Sequence, residues 1–191
     1  MHKILVLALT VLLFTIIGCT KGKPTPDSAP KELPTPKLTS TPSTQANLQE
    51  LYRQYRVSRD AWVEDEDWEA LIELSPELLA LTKKLDKPSS YAWQLNNSGW
   101  YFIELFKKTT DYNSSMSLIS ELTGDARKAL VADVKPVLRE NMDLLKNAKE
   151  LLLLAYKVNS ELTEVNTARN KAIDSNLSFV NWVENFVGDT H

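Results

Sequence analysis

Few side chains in this sequence could carry out catalysis. Its only two histidines, His2 and His191, lie at the two ends of 191 residues, so the body of the chain has no imidazole. A serine or cysteine nucleophile needs a neighbouring base, and histidine is the usual one. The single cysteine, Cys19, excludes an internal disulfide bond and a cysteine-rich zinc site. We therefore expect no catalytic residue, no metal site and no cofactor.

Residues 64–69 include five carboxylates and form the densest acidic cluster. The glycine and closing glutamate of a calcium-binding loop are missing from this stretch. Glycoside hydrolysis needs two carboxylates about 5–10 Å apart across a cleft. If the protein is a cell-wall glycan hydrolase, Asp65 and Asp67 are therefore the first candidates to test. Carboxylates also stabilise the first turn of a helix, and a solvated helix start is the interpretation that we favour.

Five tryptophans raise the question of an aromatic binding surface. Trp93, Asn97 and Trp100 follow helical spacing beside the main apolar face of their predicted helix. Exposed together they would form an interaction patch, and otherwise they pack within the bundle. The same two interpretations apply to Trp182 and Phe186. A further hypothesis, a carrier of a small apolar ligand, predicts a closed pocket. The lining of that pocket would include Trp93, Trp100, Phe102 and Leu151.

The N-terminal residues have the pattern of a targeting signal. A single lysine precedes residues 4–17, which are apolar apart from two threonines and too few to cross a bilayer comfortably. The run ends in Ile16-Ile17-Gly18-Cys19, which resembles the lipobox of bacterial lipoprotein precursors. The resemblance implies a signal peptide at 1–18, cleavage between Gly18 and Cys19, and attachment of lipid to Cys19. Two or more acyl chains give stable anchoring to a membrane.

The same resemblance implies a location in the bacterial cell envelope. In Gram-negative lipoproteins, an aspartate directly after the lipidated cysteine favours retention in the inner membrane. Thr20 occupies that position here. The implied location is the outer membrane if the organism is Gram-negative, and the exterior of the plasma membrane if it is Gram-positive.

A tether is expected at residues 19–43, behind the lipidated cysteine. Six of the nine prolines fall in this stretch, together with many threonines, serines and lysines. Such a composition cannot bury enough apolar surface to offset the entropy of ordering, and it favours extended polyproline II conformations. We expect a disordered spacer that holds the following domain away from the lipid.

Residues 44–191 are predicted to form an all-α bundle. Only three prolines and three glycines occur in 44–188, and alternating strand patterns are absent. Gly99 falls in the middle of a predicted helix, which indicates close contact with another helix. Ser75 and Pro76 predict a kink, or a break with Ser75 as the cap of a new helix.

The C-terminal part of the chain has a heptad pattern. Seventeen positions from 130 to 186, spaced alternately by four and three, are apolar in fourteen cases. The pattern predicts one long helix over 126–187 or a helical hairpin that breaks near 157–160, with Ser160 as the second N-cap. The four leucines at 151–154 are expected to be buried on several sides. A second copy of the chain could complete this seam, which would make a homo-oligomer.

These observations together favour a non-catalytic function. The formal net charge is −3, and acidic and basic residues alternate, so nucleic acid is not an expected partner. We expect an envelope lipoprotein that contacts membrane lipid through Cys19 and binds or helps to assemble another envelope protein. A glycan hydrolase and a carrier of an apolar ligand are the alternatives.

Overall fold

The computed structural model describes residues 44–188, which contain seven α-helices and, within that range, no β-strand. The prediction of an all-α helical bundle is confirmed. The helices are α1 (Gln45–Glu64), α2 (Trp68–Lys84), α3 (Pro88–Thr109), α4 (Tyr112–Glu121), α5 (Gly124–Glu140), α6 (Met142–Ser160) and α7 (Thr167–Gly188). The expected signal peptide, Cys19 and the expected tether lie outside the described residues.

Local sequence signals account for both ends of α2 and for the start of α3. Asp67 caps α2, because its carboxylate accepts a hydrogen bond of 3.2 Å from the backbone N–H of Ala70. Two lysines in the last turn of α2 suit the negative end of the helix dipole. Pro88 begins α3, where the N–H that proline lacks would have no intrahelical partner.

The proline in α2 does not interrupt the helix. α2 runs continuously through Pro76, so the alternative of a break at this point is excluded. Ser75 lies in the helix interior rather than at a cap, and its hydroxyl donates to the carbonyl oxygen of Leu71 at 2.8 Å. Leu74 and Leu78 are buried on either side of the proline. The burial of both leucines holds the two halves of α2 against the core, and this stabilisation outweighs the tendency of proline to break a helix.

α3 lies at the centre of the described bundle, because it packs against α2, α4, α6 and α7. Nine of its residues are buried, more than in any other described helix. Its apolar face, at positions 92, 95, 99, 102 and 106, is buried apart from position 102, which is partly buried. By contrast, α1 packs mainly against α2, and its Trp62 and Val63 also pack against the cluster that contains Tyr101 of α3.

Two breaks divide the heptad-patterned segment. Residues 161–166 separate α6 from α7, which pack against each other as in the hairpin alternative, but the break predicted near 157–160 is misplaced because those residues are still helical. A second break follows α5 at Asn141, whose side-chain amide donates to the carbonyl oxygen of Val137 at 2.8 Å. Ser160 is the last residue of α6 rather than a cap, and its hydroxyl donates to the carbonyl oxygen of Lys157.

The buried face of α6 is displaced from the predicted seam. The pattern predicts burial at 144, 148, 151, 155 and 158, whereas the buried residues lie at 145, 148, 152, 155 and 159. Ala148 and Ala155 belong to both lines, so a small rotation of the helix exchanges one line for the other. Leu153 and Leu154 remain 53% and 39% exposed. The expectation that residues 151–154 are buried on several sides is therefore wrong.

Candidate functional site

A close approach of α3 and α6 is the starting point of the candidate site. A Cβ atom added to Gly99 would lie 2.8 Å from Cγ of Leu152 and 3.1 Å from the carbonyl oxygen of Ala148. The distance to Leu152 is well below the roughly 3.5–4.0 Å of a favourable contact between carbon atoms, and the distance to the oxygen of Ala148 is also tight. A larger residue at position 99 would require a shift of Leu152 or of the α6 backbone. The prediction that Gly99 marks a helix–helix contact is confirmed.

Beside this contact, α2, α3 and α6 line an open surface groove of about 520 Å³, which we call the α2–α3–α6 groove. Its apolar lining comes from all three helices. The apolar residues are Ile72, Pro76, Leu79, Phe102, Leu151 and Leu154. Because Leu154 is 39% exposed, the rim of the groove presents apolar surface directly to water.

The two serine hydroxyls of the groove donate hydrogen bonds within their own helices and not into the groove. The hydroxyl of Ser75 is used within α2, and that of Ser98 donates to the carbonyl oxygen of Gln94 at 2.8 Å. Asn147 and Glu150 lie on the exposed side of α6, and Glu150 has the only charged side chain in the lining. The groove therefore combines an apolar floor with one carboxylate at its rim. Such a surface suits an apolar stripe rather than a polar substrate.

Two of the four residues predicted to line a ligand pocket meet in this groove. Phe102 and Leu151 contribute to its lining, whereas Trp93 and Trp100 do not. The groove is also open to solvent rather than closed. It therefore differs in both residues and shape from the cavity that the carrier hypothesis expects.

Trp93, Asn97 and Trp100 are all partly buried, and the two tryptophans make separate contacts. Trp100 packs edge-on against Trp68 of α2 at a centroid distance of 5.3 Å, and its indole N–H donates to Glu104 at 2.8 Å. Trp93 lies under the guanidinium of Arg169 of α7, 5.2 Å from the ring centroid. These contacts favour packing within the bundle over a joint interaction patch.

A second aromatic cluster is more exposed. Trp182 of α7 is 46% exposed and stacks on Phe186 at a centroid distance of 5.1 Å and an interplanar angle of 10°. The edge of Tyr112 of α4 completes the cluster, 6.1 Å from Trp182. The ammonium group of Lys135 lies 5.3 Å from the centroid of Phe186, a cation–π distance. The cluster joins α4 to α7 and leaves Trp182 partly exposed to water.

The acidic cluster lies in the turn between α1 and α2. Asp65 and Asp67 are both exposed, and Asp67 is engaged in capping α2. This geometry agrees with the solvated helix start that the sequence favours. Within residues 44–188, no group of three or more His, Cys, Asp or Glu side chains could hold a metal ion.

The most unusual polar residue of the described bundle is Arg169, which is 0% exposed. Its guanidinium donates to the side-chain oxygen of Asn159 and, at 2.7 Å, to the hydroxyl of Ser89. Its Nε has no partner, and burial lowers the pKa of the guanidinium. The heptad count placed Arg169 on the seam but did not indicate a polar network there, because an arginine at such a position usually reaches water.

Comparisons with known protein families, with curated proteins and with solved structures found no match. Among the described helices, none combines the length and the apolar character that a membrane span requires.

Proposed function

We propose that this protein is a lipid-anchored, non-catalytic component of the bacterial cell envelope whose helical bundle binds another envelope protein. The α2–α3–α6 groove is the observation that supports binding. The lipobox resemblance at residues 16–19 supports the anchor and the location. In this proposal Cys19 is the lipid-bearing residue, and Thr20 directs the protein to the outer membrane of a Gram-negative cell.

The partner that suits the groove best is an amphipathic helix of the second protein. Such a helix presents apolar side chains three and four residues apart, which pack into a hydrophobic groove while its polar face stays in water. The open mouth of the groove leaves room for that polar face. The carboxylate of Glu150 at the rim favours a lysine or arginine beside the apolar stripe of the partner.

The binding proposal is tested by placing a photo-crosslinking amino acid at position 154 of the full-length protein in cells. We expect an adduct with an envelope protein, formed through an amphipathic helix with a basic flank. A synthetic peptide of that helix is then titrated against the wild type and two variants. Leu154→Asp should weaken binding about tenfold or more, because burial of a leucine contributes about 1.5–3 kcal/mol.

Leu153→Asp is the matched control. Leu153 is the neighbouring residue of the same helix and is more exposed than Leu154, but it does not line the groove. We expect this variant to bind the peptide as the wild type does. Equal weakening by both variants, an adduct only with a second copy of the chain, or no adduct at position 154 would refute the groove as the docking site.

The anchor is tested by metabolic labelling with a fatty acid. The wild type should incorporate the label and Cys19→Ala should not, because the chain contains no other cysteine. In a Gram-negative host, Thr20→Asp should retain the label and shift the protein toward the inner membrane. Labelling of the Cys19→Ala variant, or an unlabelled wild type, would contradict a lipidated Cys19.

A further inference from the structure

Arg169 has no counter-ion within the described part of the chain. Its guanidinium is fully buried, it forms no ion pair with a carboxylate of residues 44–188, and its Nε is unpartnered. The two partners of its other nitrogens, Asn159 and Ser89, are neutral. A buried charge without a compensating charge is strongly unfavourable. The positive charge therefore favours an anion close by.

The guanidinium points to the first turn of α3, which also has free hydrogen-bond donors. The N-cap position, Lys87, makes no side-chain capping bond. The backbone N–H groups of Ser89 and Ser90 have no partner among the described residues. Because the hydroxyl oxygen of Ser89 accepts from Arg169, its proton is available to donate outward. Ser89 is exposed, so these donors are accessible from solvent.

We propose that the first turn of α3, with Arg169 behind it, binds a phosphate group. The two backbone N–H groups and the serine hydroxyls supply donors for a tetrahedral oxyanion, and the dipole of α3 adds positive potential at the same point. Arg169 contributes its charge and orients the Ser89 hydroxyl, so it acts as a positioning residue. This site shares no residue with the α2–α3–α6 groove.

Asp86 is the nearest acidic residue in sequence to this turn. It is exposed, lies in the left-handed region with φ 50°, and forms no ion pair with Arg169. The ammonium group of the neighbouring Lys87 lies 5.7 Å from the ring centroid of Tyr52. Neither residue supplies a counter-ion to the Arg169 guanidinium, which also lies over the neutral ring of Trp93, 5.2 Å from its centroid.

The test is calorimetric titration of the full-length chain, held in a non-ionic detergent, with inorganic phosphate at constant ionic strength. We expect saturable binding at one site. Ser89→Ala removes a donor to a charged ligand and should weaken binding about tenfold. Arg169→Met removes the charge at similar side-chain volume and should weaken binding at least as much. If Arg169→Met does not fold, as judged by circular dichroism, Ser89→Ala decides the result.

Ser114→Ala is the matched control, since Ser114 is an exposed serine in the first turn of α4, which also lacks a side-chain cap. It should bind phosphate as the wild type does. A parallel titration with glycerol 3-phosphate separates the two sources of a phosphate group. If glycerol 3-phosphate binds more tightly than inorganic phosphate, the ligand is a lipid headgroup. If it binds equally or more weakly, the ligand is the free anion. No saturable binding of either probe, or unchanged affinity in Ser89→Ala, would overturn the proposal.

Discussion

Replacement of Gly99 by alanine tests the packing of α3 on α6. The new methyl group would lie 2.8 Å from Cγ and 3.0 Å from Cδ2 of Leu152, and 3.1 Å from the carbonyl oxygen of Ala148. Overpacking of a core costs about 1–3 kcal/mol, and the upper half of that range applies because one neighbour is backbone. Alanine gains about 1 kcal/mol over glycine as a helix former. We therefore expect the free energy of unfolding to fall by about 1–2 kcal/mol.

Urea denaturation followed by circular dichroism measures this change. The midpoint should decrease while the dependence of the unfolding free energy on urea concentration stays constant. Gly188→Ala is the control, because nothing lies within 4 Å of a Cβ added at that position. That variant should unfold with the wild type, within about 0.5 kcal/mol.

A double-mutant cycle then identifies the contact responsible. Leu152 is fully buried, so Leu152→Ala alone should cost about 2–5 kcal/mol. In the double variant, the methyl group at position 99 occupies part of the vacated space. The combined loss should therefore be smaller than the sum by about 0.5–3 kcal/mol. A Gly99→Ala variant more stable than the wild type, or strictly additive losses, would refute the close approach described for α3 and α6.

Three further measurements test the burial of Tyr101, the cap at Asp67 and the relative protection of α1 and α3. Burial raises the pKa of Tyr101 from 10.0 to about 12. As the pH rises, the Tyr101 hydroxyl therefore loses its proton first in the unfolded chain, and about 2–3 kcal/mol of the free energy of unfolding should be lost between pH 10 and 12. In urea titrations across that range, Tyr101→Phe should lose correspondingly less, and an unchanged loss would contradict this assignment. Asp67→Ala should lower the free energy of unfolding by about 0.5–2 kcal/mol, because the cap of α2 is lost. Asp65→Ala should change this free energy by less than about 0.5 kcal/mol. Equal effects of the two variants would argue against the cap. Amide hydrogen exchange should be faster in α1, which buries two residues, than in α3, which buries nine; equal protection in the two helices would contradict this order.

Features set by near neighbours were predictable from the sequence. Asp67 acts within a single helical turn, so its residue type and its acidic neighbours indicate where α2 begins. Gly99 is informative because glycine in a helix interior is unfavourable unless another helix approaches closely. The all-α class follows from the scarcity of prolines, glycines and strand patterns over 44–188.

Features set by distant neighbours were not predictable. The register of α6 is ambiguous from its sequence, because four successive leucines give the apolar stripe no preferred centre. The burial of Arg169 depends on Asn159 and Ser89, which lie 10 and 80 residues away in the chain. The α2–α3–α6 groove likewise forms only when three helices pack together. That packing determines which leucines remain exposed.

The position of α1 has a mechanical consequence. Tension applied at residue 44 enters the described bundle through α1, which packs mainly on α2 among the helices of 44–188. This helix should peel away before the α3–α6 pair is loaded. Its 20 residues would lengthen from about 30 Å as a helix to about 66 Å when extended. The bundle should thus yield first at α1, which uncovers Leu74, Leu78 and Leu81 of α2 before force reaches the contact between α3 and α6.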